Sequence, residues 1–433
     1  MPDRPPDPAP GASAAGGGRL AAGASAAGGG RLKRALSRTF HALETRNFRL
    51  FFIGQTISNT GNFLTNVALI LFVLSLTHSG LAVGALAACQ FGPLLLLSPW
   101  AGAVADRGEK RKLLLVTQSL EMVQSIGLAI LAFQTAPPLV ALYALAVFGG
   151  VLLAFDNPLR RSFVPEMVPT EDLSNAVVLY GTIVSLSQVF GPALAGLIAT
   201  TLGYGWCFAL DAVSYVAVLG GLLMMRPSEL YRAPPAPRSG HPVREGLRYV
   251  LSVRDLWLSF AMFAAIGIFS FNFRVALPLL VTRSLHGTEV GFTMLYAVSS
   301  SGGVVGALLV AHRKFVKLRH IIGASLALGL AMLALAATPN VYAAAPAVFL
   351  VGGAGIVYMT ATTSLAQVDT RRDMVGRVLA LQTALIGGSA FVGGPIVGRL
   401  ADLAGGRAPI IVGGLVCLLA ALAARVVRAR PAA

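Results

Sequence analysis

Few side chains in this chain are equipped for chemistry, and their positions are informative. Three acids, Glu121, Asp156 and Asp211, stand inside or at the edge of long apolar stretches. A carboxylate at that depth must be neutral, paired or a carrier of protons, because loss of water disfavours its charge; all three options stay open here. Glu121 shares about 120° of one helical face with Thr117, Gln118, Gln124 and Ser125. A second group is a stripe of amides. At ~100° per residue, Gln55, Asn59, Asn62 and Asn66 fall within about 60° of one face. Hydrogen bonding between helices would explain one or two buried amides, whereas a stripe of this length points to a wet cavity. The same arithmetic groups Phe263, Gly267, Ser270 and Arg274, and further on Thr360, Thr363, Ser364 and Gln367. An arginine does not escape burial by deprotonating, so Arg274 needs an anion, a carbonyl dipole or water. Asp211, at a comparable depth, is one source of that anion; bound cargo is the other.

Enzyme chemistry finds no foothold. The six histidines (His41, His78, His241, His286, His312 and His320) fall in loops, tails or segment ends, and no H-x-x-x-H or G-x-S-x-G context occurs. The three cysteines, Cys89, Cys207 and Cys417, lie in apolar runs without metal-ligand spacing, so packing is their expected role. No P-loop is found, which makes an ion gradient, not ATP, the expected energy source. No cofactor and no metal are expected.

The elements that must position these groups follow from composition. The chain has 433 residues, 55% hydrophobic and 12% charged, with 48 glycines, a balance suited to a polytopic membrane protein. Its net charge of +16 could suggest nucleic-acid binding, but the bases cluster in short links between apolar runs, where they orient a membrane protein. Twelve segments reach the ~20 residues a bilayer demands: 48–77, 80–105, 113–134, 137–156, 175–201, 205–226, 256–281, 290–312, 319–338, 341–364, 376–400 and 408–426. An even number puts both termini on one side. Assigning the odd-to-even links to the outside leaves only Arg283 and Arg407 there, so both termini are expected in the cytoplasm. Residues 1–45 carry GASAAGGGRL twice in a Gly/Ala/Pro tract, with Arg31, Lys33, Arg34 and Arg38 behind it, and are expected to be a disordered basic tail. The longest internal link, 227–255, rich in proline and arginine, is expected to divide the chain into six-helix halves at 46–226 and 256–426, with a short tail at 427–433.

One loop narrows the reading. Gly102 to Lys112 reads GAVADRGEKRK, a charged link between spans 2 and 3. It resembles the signature G-x-x-x-D-R-x-G-[RK]-[RK] of the major facilitator superfamily, with Glu109 where the second glycine is usual. The matching link after span 8 is a degraded copy with His312 in place of the acid. Span 5 carries FGPALAG (Phe190 to Gly196), similar to the Gly-Pro motif of the superfamily's exporters, and span 11 echoes it with GGPIVG (Gly393 to Gly398). The stretch Phe155 to Tyr215, together with TQSLEMVQS from Thr117, resembles the 12-span drug and siderophore exporter branch that holds enterobactin exporters and macrolide efflux proteins. Asn62 stands where that branch often has an acid, Asp211 replaces a usual asparagine, and Arg274 is an unusual charge.

The resemblance implies an all-α fold of twelve transmembrane helices in two pseudo-symmetric halves. It implies that spans 1, 4, 7 and 10 surround the path, which makes Gln55, Asn59, Asn62, Asn66, Phe263, Ser270, Arg274, Thr360, Thr363 and Gln367 the expected cavity. It gives Gly102, Asp106, Arg107, Lys110 and Arg111 a gating role, with Asp106 holding the cytoplasmic gate near the start of span 3, and makes Gly191, Pro192 and Gly196 an exporter motif. Glu121, Asp211 and Asp156 are the candidates for proton coupling; since span 6 is peripheral in that fold, Asp211 is expected first as a structural partner. The expected function is proton-coupled efflux of a small amphiphile by alternating access, from a monomer in the inner membrane whose partners are cargo, protons and lipid. Uptake or lipid transport on the same fold is the alternative; an enzyme or a non-transporting sensor, which would be expected to carry an added soluble domain, has no support.

Overall fold

A computed structural model describes residues 40–231, 242–311, 317–372 and 374–429. Twelve helices in it are long and apolar enough to cross a membrane, and no strand occurs among the described residues. Spans 1–6 are Arg46–Thr77, Gly80–Arg107, Lys110–Ala132, Leu139–Phe163, Leu173–Thr201 and Tyr204–Met224. Span 7 is built from two helices, Arg254–Phe269 and Phe273–Arg283, and spans 8–12 are Glu289–Ala311, Leu318–Ala336, Val341–Val368, Val375–Ala404 and Ala408–Ala429. Each closes its own backbone hydrogen bonds, the requirement that hydrocarbon imposes. Leucines and valines such as Leu197, Val213, Leu308 and Leu419 stay exposed on the outer faces, where lipid would cover them.

Span 1 packs on spans 5 and 6, span 3 on 4 and 6, and span 2 on 4, which makes the first half. In the second, span 8 packs on 10, span 9 on 10 and 12, and span 7 on 11 and 12. The halves meet where span 2 lies along span 11 and span 5 along span 8. Glycine permits the first seam: a Cβ on Gly84 would strike the backbone of Gly394, and one on Gly398 would strike that of Gly80. With twelve spans, one end of the bundle carries both termini (the terminal end) and the other is the far end.

Three boundaries depart from expectation. Span 4 does not stop at Asp156 but continues through Pro158 to Phe163. A proline inside a helix removes one hydrogen bond, and the burial of Leu159, Arg160 and Phe163 holds the extra turns in place. Span 7 is interrupted at Ser270–Asn272, where the Asn272 amide donates to the carbonyls of Gly267 and Ile268 at 3.2 and 2.9 Å. The end of the expected tail is ordered: His41–Glu44 forms a short 3-10 turn, and the Ala42 N–H donates to Asn175 Oδ1 at 3.1 Å. The link between halves contains a further helix, Pro242–Ser252, packed on span 11 and tied by a Glu245–Arg377 ion pair. The rest of the expected tail (1–39), link residues 232–241, His312 with its loop to 316, and 430–433 lie outside the described residues.

Candidate functional site

The first half is built around one arginine. Arg160, 4% exposed, sits between Asp156 (1%) and Glu121 (3%), so a bulk-water bath is not available to any of the three. Its Nε pairs with Asp156 one turn earlier, and Nη2 reaches Glu121 Oε2 at 3.3 Å. Its Nη1 donates to Gln55 Oε1 at 2.7 Å and to Asn59 Oδ1 at 2.9 Å. Gln118 Nε2 bridges the acids, donating to Asp156 Oδ1 at 2.6 Å and Glu121 Oε2 at 3.0 Å, and Thr117 Oγ1 adds a bond to Asp156 at 3.2 Å. Two carboxylates therefore share one guanidinium, and a proton on either acid would bring the group to neutrality. Asp211 stands apart from that pairing, accepting from Ser125 Oγ at 2.7 Å across the interface of spans 3 and 6. The polar residues of span 3 share a face, as expected, whereas Arg160 falls beyond the expected end of span 4 at 156 and lies inside the longer helix. The signal was present in the i, i+4 spacing of Asp156 and Arg160, which places opposite charges on one helix face.

The amide stripe of span 1 is also real but does not line a cavity as expected. Gln55 and Asn59 are buried against Arg160; Asn62 donates to Tyr215 at 3.4 Å, and Asn66 to Asn62 Oδ1 at 2.8 Å. Their polarity serves the charged cluster and the contact with span 6.

A cavity of about 240 Å³ lies on the seam between halves. Span 2 contributes Gln90 and Phe91, span 7 Phe263, Gly267, Phe271, Asn272, Arg274 and Val275, span 11 Ser389, and span 1 only Ile70. Phe263 stacks on Tyr358 and approaches Phe271, with centroids 6.3 and 5.8 Å apart, so the second half offers an aromatic wall where the first holds charge. Arg274 enters this wall. Its Nε donates to the Tyr296 hydroxyl at 3.1 Å, and no carboxylate pairs with it among the described residues. Pairing with Asp211 is excluded by this arrangement, since Asp211 packs against span 3 in the other half. Ser270 does not face the cavity: its hydroxyl donates to Gly413 O at 3.0 Å and approaches Cys417 on span 12. The break in span 7 begins at Ser270, so the 100° arithmetic fails for that residue, whereas Phe263, Gly267 and Arg274 share the cavity as expected. Thr360, Thr363 and Gln367 also fall outside the lining; Thr363 accepts from Gln382 at 3.0 Å and Gln367 is exposed.

The two ends of the bundle are in opposite states. At the far end Asp402, near the close of span 11, accepts from the Gly80 and Leu81 N–H groups at 2.7 and 2.8 Å and from Ser79 Oγ at 3.2 Å. Arg283 of span 7 completes the lock, giving Nη2 to Asp402 at 2.8 Å and to the His78 carbonyl at 2.7 Å. A carboxylate at a helix N-terminus satisfies free N–H groups and meets the favourable end of the helix dipole. At the terminal end span 2 makes no matching lock among the described residues. A Cβ at Gly102 would meet nothing, and Asp106 and Arg107 are exposed with no hydrogen bond or ion pair among the described contacts. The expected Asp106 bonds near the start of span 3 are therefore not made in this state. Lys110 and Arg111 are engaged instead, Lys110 with Glu166 after span 4 and Arg111 Nε with the Leu222 carbonyl of span 6 at 2.7 Å. Gly191 presses on span 1 at Phe63, Pro192 is buried beside it, and Gly196 presses on Thr293 of span 8, so the Gly-Pro stretch spans the contact between halves.

Residues 37–432 match the family described as transmembrane secretion effectors. The chain belongs to the major facilitator superfamily. This facilitator is 27% identical to the enterobactin exporter of Shigella boydii over 390 residues, which covers 86% of the chain and 91% of the relative. It is also 27% identical to the staphyloferrin A transporter of Staphylococcus aureus over 267 residues, 60% of the chain and 66% of that relative. Among solved structures, a bacterial homologue of the human lysosomal transporter Spinster, in an inward-facing unoccupied conformation, superposes with a TM-score of 0.69 at 16% identity, covering 89% of this chain and 98% of that one. An autoinhibited peptide transporter of the POT family gives 0.70 at 13% identity, with 90% and 98% covered. Such likenesses establish the fold. The facilitator is a multi-pass membrane transporter of a small molecule and not an enzyme. Its far-end lock was missed in the sequence although a signal existed: Gly398-x-x-x-Asp402 closes span 11 with the spacing by which Gly102-x-x-x-Asp106 closes span 2.

Proposed function

We propose that this facilitator exports a small, oxygen-rich, partly anionic amphiphile across the inner membrane in exchange for protons. The observation that carries the reading is the separation of charges: the membrane acids Glu121 and Asp156 surround Arg160 in one half, whereas Arg274 opens on the inter-half cavity without a carboxylate. A guanidinium so placed favours an anion, and the phenylalanines around it favour an apolar body. The acid pair is the coupling site. One proton on Glu121 or Asp156 offsets the charge that Arg160 leaves uncompensated, and its release restores a net negative group in a buried place. The far-end lock, and the lack of a matching one at the terminal end among the described residues, support reading this as the state that receives cargo at the terminal face. Both termini lie in the cytoplasm, as the near absence of Lys/Arg from the far-end links supports. The Gly-Pro stretch of span 5 and the likeness to the enterobactin exporter support the outward direction. The path lies within one chain, so a monomer suffices.

Inverted vesicles loaded under an imposed pH gradient, given anionic, neutral and cationic candidates, test the proposal. Accumulation of anionic amphiphiles that collapses with the gradient is expected; accumulation unaffected by a protonophore would reject proton coupling. Single cysteines replacing Glu171 and Thr288 should label from opposite sides, Thr288→Cys from outside, and labelling of both from one side rejects the orientation.

A further inference from the structure

At the terminal end of the second half, away from the cavity and the acid cluster, Arg319, Arg425 and Arg428 line a hollow of about 240 Å³ with Ile322 as its floor. The three arginines come from two helices: Arg319 from the first turn of span 9, Arg425 and Arg428 from the last turns of span 12. None is paired with a carboxylate among the described residues, and Arg319 Nε meets only the His320 ring, at 3.4 Å. The adjoining stretches 312–317 and 430–433 contain no acid in their sequence. Electrostatically this arrangement is incomplete. Arg425 and Arg428 suit the C-terminus of span 12, but at i, i+3 they repel each other. Arg319 lies at the positive end of span 9, whose N-cap residue Lys317 offers no side-chain cap and adds a further charge. Like charges converging on a hollow from two helices are best reconciled by an anion that all three can reach.

The surroundings say which anion. Spans 9 and 12 pack together at the rim of the second half, and the hollow sits where span 12 ends, at the height of a membrane surface. Along span 12 the side chains of Leu415, Leu419, Leu422 and Val426 are exposed and recur on one face, an apolar track of ~16 Å that ends at the level of the hollow, beside the face that carries the arginines. A headgroup above and an acyl chain along such a track is the arrangement an anionic phospholipid requires. We propose that this hollow binds the phosphate of an anionic membrane lipid, with Arg425 and Arg428 gripping its oxygens, Arg319 closing from span 9, and the acyl chain lying along span 12. Guanidinium forks suit this task because they meet phosphate with paired N–H groups. The lipid would pin the terminal end of the second half to the membrane surface.

Native mass spectrometry of the full chain, exchanged into micelles holding phosphatidylglycerol, cardiolipin or phosphatidylcholine, measures the proposal directly. Retention of the anionic lipids at least tenfold above phosphatidylcholine is expected. In the combined variant Arg319→Gln, Arg425→Gln and Arg428→Gln that preference should fall by on the order of a hundredfold, since each base near a headgroup contributes severalfold. Arg161→Gln, at the same end of the other half, should leave it unchanged. A photoreactive anionic phospholipid added to the unaltered chain should crosslink within 318–330 or 411–429, a readout that survives even if the triple variant misfolds. Equal retention of charged and uncharged lipids, undiminished retention by a folded triple variant, or crosslinks only elsewhere each overturn the proposal. Binding of inorganic phosphate that displaces no lipid would likewise overturn it, in favour of a site for a soluble anion.

Discussion

The two halves share a fold and differ in what they bury. Around spans 1, 3 and 4 the first half holds Arg160, Glu121 and Asp156 with amides that complete their hydrogen bonds. The second half places Phe263, Phe271 and Tyr358 among spans 7 and 10 and leaves Arg274 to face the cavity. On the proposed reading, a repeated scaffold is divided between two tasks. Buried charges need partners fixed by packing, so the half proposed to handle protons holds its acids in ion pairs and hydrogen bonds. A recognition surface needs unspent hydrogen-bonding capacity, and on that reading the second half meets the need by keeping the Arg274 guanidinium partly free at the cavity.

The strongest test of that division is Arg160→Leu. It leaves two buried acids facing each other, and breaking a buried pair in this way costs about 3–5 kcal/mol. The melting temperature in detergent should fall steeply, and adding Glu121→Gln with Asp156→Asn should recover much of it, because the repulsion then disappears. Full stability of the single variant would mean that the cluster is not the organising element of its half.

Glu121→Gln asks whether the cluster carries protons or only holds helices together. The amide resembles the protonated acid, so binding and cargo-for-cargo exchange should persist while uphill accumulation drops to background. Retained accumulation would move coupling to Asp156 or Asp211. On the other side of the comparison, Arg274→Gln should weaken anionic cargo roughly 10- to 100-fold, as loss of a charged hydrogen bond predicts, with little change for neutral cargo or for stability. Arg274→Lys should restore only part of the loss, since a point charge lacks the fork. A cationic drug carried well and indifferent to both changes would sink the assignment of cargo charge to this half.

The smallest effect on the resting molecule is expected from the acids that close spans 2 and 11. Asp402→Asn weakens the far-end lock, so spin labels on spans 2 and 11 should show a larger far-end-open population. Asp106→Asn should leave this conformation unchanged, because Asp106 has no partner in it, while slowing a step in which the terminal end closes. An unchanged distance distribution in Asp402→Asn would show that glycine packing alone keeps the far end shut.

Much of this was legible beforehand. Twelve spans could be counted because hydrocarbon sets a minimum length that few other segments reach. Glu121, Gln55 and Asn59 could be picked out because polar groups at that depth are costly without a reason. What escaped detection depended on contacts between distant spans. Arg160 looked like a loop residue until Gln55, Asn59 and Glu121, each from another helix, were seen to satisfy it. Hydropathy dips only briefly, at Ser270, Asn272 and Arg274, and phenylalanines alternate with them, so the dip reads as polar residues within one span and not as the break that turns Ser270 toward span 12. Asp402 was passed over because an acid at a helix end ordinarily needs no explanation, and only its reach to Gly80 and Leu81 gives it one.

The donors that Asp402 uses on span 2 include two backbone N–H groups, which any residue except proline supplies. Apart from Gly80 and Gly84, where the seam admits no Cβ, span 2 can therefore change its side chains without retuning these two bonds, and the adjustable element is a single carboxylate with its arginine. In a carrier that alternates between two sides, the depth of that well sets the dwell time of the empty molecule, with about 1.4 kcal/mol lengthening the wait tenfold. Turnover rate can then be tuned over generations by substitutions at two positions, 402 and 283, while the cavity that selects cargo stays untouched.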